Sequence, residues 1–248
     1  MKALAVAVPV VAALATFIAL GLPAPALQAI SGAAYFLAAL GSLAGAWSFA
    51  EGDRLRWAWL AIASGYGLGG LGVWFIGPPL HSANIPEASA AVALGVTTVM
   101  NLSLVGGSLF FVLAWRDLGL LPRWFVGAAA ASATLGAVVA GPTLVQGVSQ
   151  WSTSGVAAAS LVISSLGDMA AITLAGPLAA SALSMRGGAL AWPYLFLAGQ
   201  GLGWLLFDAS VHLQGPTQVW ADTFFSIVGM LYCGAAGYAH RAALRLKP

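Results

Sequence analysis

Charge is the scarcest thing in this sequence. Only 6% of its 248 residues are Asp, Glu, Lys or Arg, whereas a soluble domain uses roughly 25% to cover its surface. A chain so poor in charge is solvated by lipid. Its net charge of +2 is small and its basic residues are scattered, which excludes a nucleic-acid-binding role. The single cysteine, Cys233, lies in an apolar run and excludes an intrachain disulfide and a thiolate metal cluster. The only lysines, Lys2 and Lys247, stand at the two ends, so no lysine lies deep in a helix to carry covalent retinal. Histidine is nearly as rare. His81 and His212 fall near one predicted membrane face and His240 near the other, with no i,i+4 pair and no opposed pair at mid-depth to hold a haem. His81 and His240 read as surface or interfacial residues. HExxH, GxSxG, a Ser-Lys pair and metal-spaced histidines are all missing, so an enzyme is the least expected class. No cofactor is indicated.

What the sequence has is apolar length. Hydrophobic residues make up 60% of the chain and the mean hydropathy is +0.93. A spanning helix needs about 20 apolar residues, because about 30 Å of hydrocarbon is crossed at about 1.5 Å per residue. Eight such runs lie between polar or Pro/Gly breaks, at 3–22, 30–50, 57–77, 88–115, 124–147, 155–185, 190–212 and 220–243. The expected fold is therefore all-α, a polytopic helical bundle forming one transmembrane domain over 1–248.

The basic residues give the bundle a direction. Lys2, Arg54, Arg56, Arg116, Arg123, Arg186, Arg241, Arg245 and Lys247 all fall before helix 1, in loops 2–3, 4–5 and 6–7, or after helix 8. The other four loops contain none. The positive-inside rule then predicts both termini in the cytoplasm, in a bacterial-type plasma membrane. Lys2, the apolar run and Ala24-Pro25-Ala26 also resemble a cleavable signal peptide. The run is longer than such segments usually are, so a retained helix is expected; cleavage would leave seven helices and a first end outside.

The chain also repeats itself. Residues 41–63 laid on 176–198 match at Gly41/Gly176, Gly52/Gly187, Leu55/Leu190, Trp57/Trp192 and Leu60/Leu195, among others, and Gly119 with Trp124 supplies a third copy of the Gly/Trp pair. Glycine permits the tight turn after a helix, and the indole anchors the returning helix at headgroup level. Three related hairpins (2–3, 4–5, 6–7) flanked by helices 1 and 8 are the expected organisation. Gly65-Tyr66-Gly67-Leu68-Gly69-Gly70 satisfies GxGxxG, but it lies inside a span with no preceding strand. Gly65/Gly69, Gly41/Gly45 and Gly199/Gly203 are read as close helix-packing positions.

The acids carry the functional expectation. Glu51, Asp53 and Asp117 sit beside arginines and read as solvated partners. Glu87 and Asp222 are placed at helix starts, where the macrodipole favours negative charge. Asp168 and Asp208 differ, because both fall inside spans, roughly 27 Å up from the turn of one hairpin. Gln200, Trp204, Asp208 and His212 recur every four residues along one face, while Ser164 and Ser165 precede Asp168 by one turn. Ionisable groups in spans usually face the bundle interior or a wet cavity. Two neighbouring carboxylates repel, so they are expected to share a proton or a cation. Alternatively, Asp168 caps a helix and Asp208 reaches interfacial water. Asn101 corresponds to Asp168 at the repeat spacing and is expected to face the same cavity. The expected ligand-binding set is Asp168, Asp208, His212, Gln200, Trp204, Asn101 and Ser165.

Residues 165–208, with Gly167-Asp168, the Arg186-Gly187-Gly188 turn, Trp192-Pro193 and Asp208, resemble the hairpin of multi-helix membrane sensor regions that precede diguanylate-cyclase (GGDEF) or histidine-kinase domains in bacteria and archaea. That resemblance implies a non-enzymatic, sensor-like bundle taking a small ligand or cation from the outer face. No output domain follows, so a membrane or cytoplasmic protein partner, besides the lipid bilayer, is expected to receive the signal. A small-solute, ion or proton transporter and a structural or assembly subunit of a membrane complex are the alternatives. The polar positions suggest a pocket more than a through-route, which ranks transport second.

Overall fold

A computed structural model describes residues 1–22, 24–76, 86–184 and 188–245. Among them it forms eight α-helices: α1 (Lys2–Leu20), α2 (Ala24–Ala46), α3 (Arg54–Leu71), α4 (Pro86–Asp117), α5 (Phe125–Ser149), α6 (Trp151–Ser184), α7 (Ala191–Ser210) and α8 (Gly215–Arg245). A π-helical turn, Gly72–Ile76, continues α3. His81, Arg186, Gly187 and Lys247 lie outside the described residues. Six helices (α1, α2, α4, α5, α6 and α8) are long and apolar enough to cross a membrane, the mark of a multi-pass membrane protein. The other two, α3 and α7, carry Arg54 and Arg56, and Gln200 and Asp208, respectively. Each buries a broad face against its neighbours, and a helix screened by protein needs less hydropathy than one bathed in lipid.

The helix ends follow local chemistry. Asp53 caps α3, its carboxylate accepting the Leu55 N–H at 2.8 Å. Gly52 and Gly119 take the left-handed conformation, φ +86° and +66°, in the turns before α3 and α5. Pro9 has no N–H to offer the Ala5 carbonyl one turn earlier. The Tyr232 hydroxyl of α8 donates to that carbonyl instead, at 3.2 Å, fastening α1 to the bundle.

Six helices close a ring in the order α2, α3, α4, α6, α7, α8 and back to α2, with α1 outside against α8 and α2, and α5 outside against α6 and α7. Glycines set the closest seam. A Cβ on Gly41 would strike the Gly234 backbone, and one on Gly237 would strike that of Gly41, so α2 and α8 touch backbone to backbone. Gly203 meets the Gly229 backbone of α8 in the same manner, and Gly65 packs closely on the Ser103 side chain of α4. The centre of the ring is filled by large side chains, among them Trp59, Tyr66, Phe111, Tyr194 and Trp204, all buried.

Three expectations are corrected. Hairpins 2–3 and 6–7 are packed pairs, but α4 and α5 do not pack along one another; α4 joins the ring and α5 lies outside it on α6 and α7. His240 is not a surface residue. It is 2% exposed, its Nδ1 accepts the Trp59 indole N–H at 3.0 Å, and the rings of Phe49, Phe111 and Tyr194 surround it. Packing against aromatic neighbours outweighed its nearness to the helix end. Asp222 does not open its helix, because α8 begins at Gly215, about two turns earlier. The acids at the basic end behave as expected: Arg54 pairs with Asp117 at 3.0 Å and Arg56 with Glu51 at 3.8 Å.

Candidate functional site

At the end of the ring away from those ion pairs, α4, α6, α7 and α8 part around a cleft of about 480 Å³. Helical periodicity explains its polar lining. Ala157, Ser160, Leu161 and Ser164 form one face of α6, and Asp168 is the next position on that face, one turn deeper. On α4, Ala90, Ala93 and Thr97 line the cleft and Asn101 follows one turn deeper. On α7, Phe207, Asp208 and Val211 line it, with Trp204 one turn beneath. Asp222 of α8 completes the wall. The lining therefore holds two carboxylates, a few hydroxyls and apolar surface, and no basic side chain among the described residues.

The acids are held but not satisfied. Ser164 Oγ donates to Asp208 Oδ1 at 3.3 Å, and Ser210 Oγ donates to Asp222 Oδ1. Asp168, 3% exposed, lies within electrostatic reach of Asp208 and of the Tyr35 and Tyr66 hydroxyls. Asp208 Oδ2, Asp168 Oδ2, Ser165 Oγ and Gln200 Nε2 are buried without a hydrogen-bond partner. A buried polar atom left unpaired costs about 1–3 kcal/mol, more for an ionised one. Four of the five such atoms among the described residues belong to the expected site, so the unmet bonding capacity is concentrated there. No group of three or more His, Cys, Asp and Glu side chains among the described residues is arranged to hold a metal.

The expected residues separate into distinct roles. Asp168, Asp208 and Ser165 come together. Asp168 sits well inside α6, which removes the alternative that it caps a helix. Asn101 donates from Nδ2 to the Ile163 carbonyl at 3.4 Å and packs flat on Gly167, clamping α4 to α6 beside Asp168. Trp204 crosses the ring, its indole N–H donating to the Tyr66 hydroxyl at 2.9 Å. His212 is exposed, and its Nε2 lies 3.2 Å from the Thr143 hydroxyl of α5, which itself donates to the Asp208 carbonyl at 2.9 Å. The stripe on α7 and the turn after it thus faces α3 at Trp204, α6 at Asp208 and α5 at His212. Four residues advance a helix by about 400°, so a stripe spaced by four drifts about 40° per step.

Tyr66, Thr143 and the cleft-facing role of Asp222 were not expected from sequence. Tyr66 sits within the Gly-rich run, where the glycines draw the eye. A tyrosine in mid-span nevertheless needs a partner for its hydroxyl, and that is the signal for it. Below it the polar line continues: the Cys233 thiol faces the Tyr66 hydroxyl and lies 3.5 Å from the Ser42 hydroxyl. Compared with protein-family models, curated proteins and solved structures, the chain matches none.

Proposed function

We propose that the chain is an eight-span, sensor-like protein of a plasma membrane, with both termini cytoplasmic, that binds a small organic cation in the outer cleft between α4, α6, α7 and α8. The unpartnered oxygens of Asp168, Asp208 and Ser165 beneath the cleft carry this reading. They are acceptors in surroundings without a basic partner, and a cation with N–H donors satisfies them. The size also fits: small-molecule pockets run about 300–1,000 Å³ and are mostly apolar with few polar groups. Segregation of every Lys and Arg into alternate loops and the two chain ends supports the orientation. That α2 packs on α3 and α6 on α7 supports a repeat, matching residues 41–63 and 176–198. Binding would draw α6 and α7 together across the acids. The Asn101 clamp and the Trp204–Tyr66 bond would carry the shift to α4 and α3, for a partner on the basic end to read.

The test is a thermal-shift and calorimetric screen of purified protein with protonated alkylamines, using the wild type, Asp208→Asn and Asp168→Asn. Saturable binding by the wild type that both substitutions weaken at least about tenfold (about 1.4 kcal/mol) is the expected result. Equal binding by all three proteins refutes the site.

A second reading, transport, is favoured by one observation. The polar line does not stop at Asp168 but continues inward through Tyr66, Trp204, Cys233 and Ser42. Amine uptake into proteoliposomes that Asp208→Asn abolishes would select it over sensing.

A further inference from the structure

The cleft's two acids have separate seats, and the reading of an organic cation can be sharpened from that arrangement. Asp208 projects from α7 and is anchored by Ser164 of α6. Asp222 projects from α8 and is anchored by Ser210 of α7. In each case one carboxylate oxygen is committed to a serine hydroxyl, so each acid has a second oxygen for another donor; in Asp208 that oxygen is buried and unpartnered. Ala90, Ala93, Leu161, Phe207 and Val211 make up the apolar wall that the two acids share. A ligand matching this lining carries a cationic donor for each acid and methylenes against the wall.

From this lining we propose that the cleft is a site for an aliphatic diamine, one ammonium on Asp208 and the other on Asp222. The inference rests on the organic-cation reading. An ammonium brings three donors, enough for Asp208 Oδ2 and the nearby Ser165 hydroxyl, with the unpartnered Asp168 Oδ2 as a further buried acceptor behind. The inner seat thus holds the unpartnered acceptors and fixes the first ammonium. The outer seat, half-buried at Asp222, selects for the second. A monoamine fills one seat and leaves the other acid without its cation. A dicarboxylate or an amino acid brings a carboxylate against Asp222 and is disfavoured by like charge. Among the described residues, the titratable groups facing the cleft are Asp208 and Asp222, with Asp168, Tyr35 and Tyr66 behind Asp208 and His212 above it on Thr143. The amines stay protonated through neutral pH.

The experiment compares ligands on the unaltered protein, so it does not depend on a variant folding. Isothermal titration of detergent-purified protein is run with 1,3-diaminopropane, putrescine, cadaverine and 1,6-diaminohexane, with butylamine and pentylamine as monoamines and 4-aminobutyrate as the zwitterion. The expected result is an optimum at one diamine length, bound about tenfold tighter than the monoamine of equal carbon number, with the zwitterion weakest. Asp222→Asn should erase that advantage, bringing diamine affinity down to that of the monoamine of equal length, and Asp208→Asn should weaken both classes. Diamines and monoamines binding equally well overturn the diamine assignment and leave the organic-cation reading standing. An absence of amine binding altogether overturns both.

Discussion

Replacing Gly167 with alanine puts a single methyl group between α4 and α6, one residue before Asp168. The Cβ would lie 2.7 Å from the Cβ of Asn101 and closer still to its amide group. Carbon atoms in contact prefer about 3.5–4.0 Å, so the helices must part locally by about 1 Å. A side chain can rotate its amide away, but its Cβ is fixed to the backbone, so a rotamer change alone does not relieve the clash. Overpacking of this kind costs about 1–3 kcal/mol. Alanine returns about 0.5–1 kcal/mol through its better helix propensity, and the Asn101 bond to the Ile163 carbonyl, long at 3.4 Å, adds less than about 1 kcal/mol. The same exchange at Gly106 of α4, where nothing lies within 4 Å, gives the propensity gain without the clash. Gly167→Ala should therefore fall below Gly106→Ala by about 1–3 kcal/mol. SDS-titration unfolding in dodecylmaltoside, followed by the fluorescence of the ten tryptophans, measures the difference. Because the displaced clamp abuts Asp168, Gly167→Ala should also weaken amine binding several-fold with both acids intact. Equal unfolding midpoints for the two variants would refute the close α4–α6 contact and the positioning role of Asn101 together.

The remaining expectations concern other joints of the ring. Gly237→Val drives a branched side chain into the Gly41 backbone and should abolish the folded monomer peak in detergent chromatography, whereas Gly141→Ala, in open space, should leave it unchanged. Trp204→Phe and Tyr66→Phe each break one buried hydrogen bond and should cost about 0.5–1.5 kcal/mol singly, with the double variant less than additive in a double-mutant cycle. Asp53→Ala removes the α3 cap and should cost about 1 kcal/mol, read in the same SDS titration. His240→Phe leaves the Trp59 indole N–H without its acceptor and should destabilise by about 1–3 kcal/mol, while His240→Gln, which can still accept, should recover part of that loss.

Much of the architecture is legible in the apolar runs, because span length and the Gly/Trp turns are local signals. The run at 88–115 became α4 at Pro86–Asp117, and 124–147 became α5 at Phe125–Ser149. The close-packing reading of Gly41, Gly65 and Gly203 was likewise available from spacing alone. Loop length misled for α4 and α5. A short connection suggests neighbours, yet α6 packs against both α4 and α5 and is the common partner that separates them. No pattern within either helix announces which third helix will intervene. His240 failed for a related reason: its depth along the helix was readable, but the ring of aromatics around it comes from α3, α4, α7 and the loop before α3.

The acids show which parts of a site a sequence can specify. Depth is a matter of counting residues, and counting put Asp168 and Asp208 at one level. Direction needs the angular position of each residue and the identity of the facing helix, and the spacing of four on α7 supplied only half of that. Gln200, Trp204, Asp208 and His212 share a stripe, but 40° of drift per step turns Trp204 toward Tyr66 and His212 toward Thr143, so only Asp208 of the four lines the cleft. Asp222 joins it from a helix whose start was set too late, since the residues before 220 are polar enough to read as loop. That error hid the second carboxylate of the cleft. With α8 extended back to Gly215, Asp222 comes to face Ser210 across the α7–α8 interface. A lone pair of deep acids becomes a cleft with acids on two walls, and this separation, more than the total negative charge, distinguishes a diamine from any smaller cation.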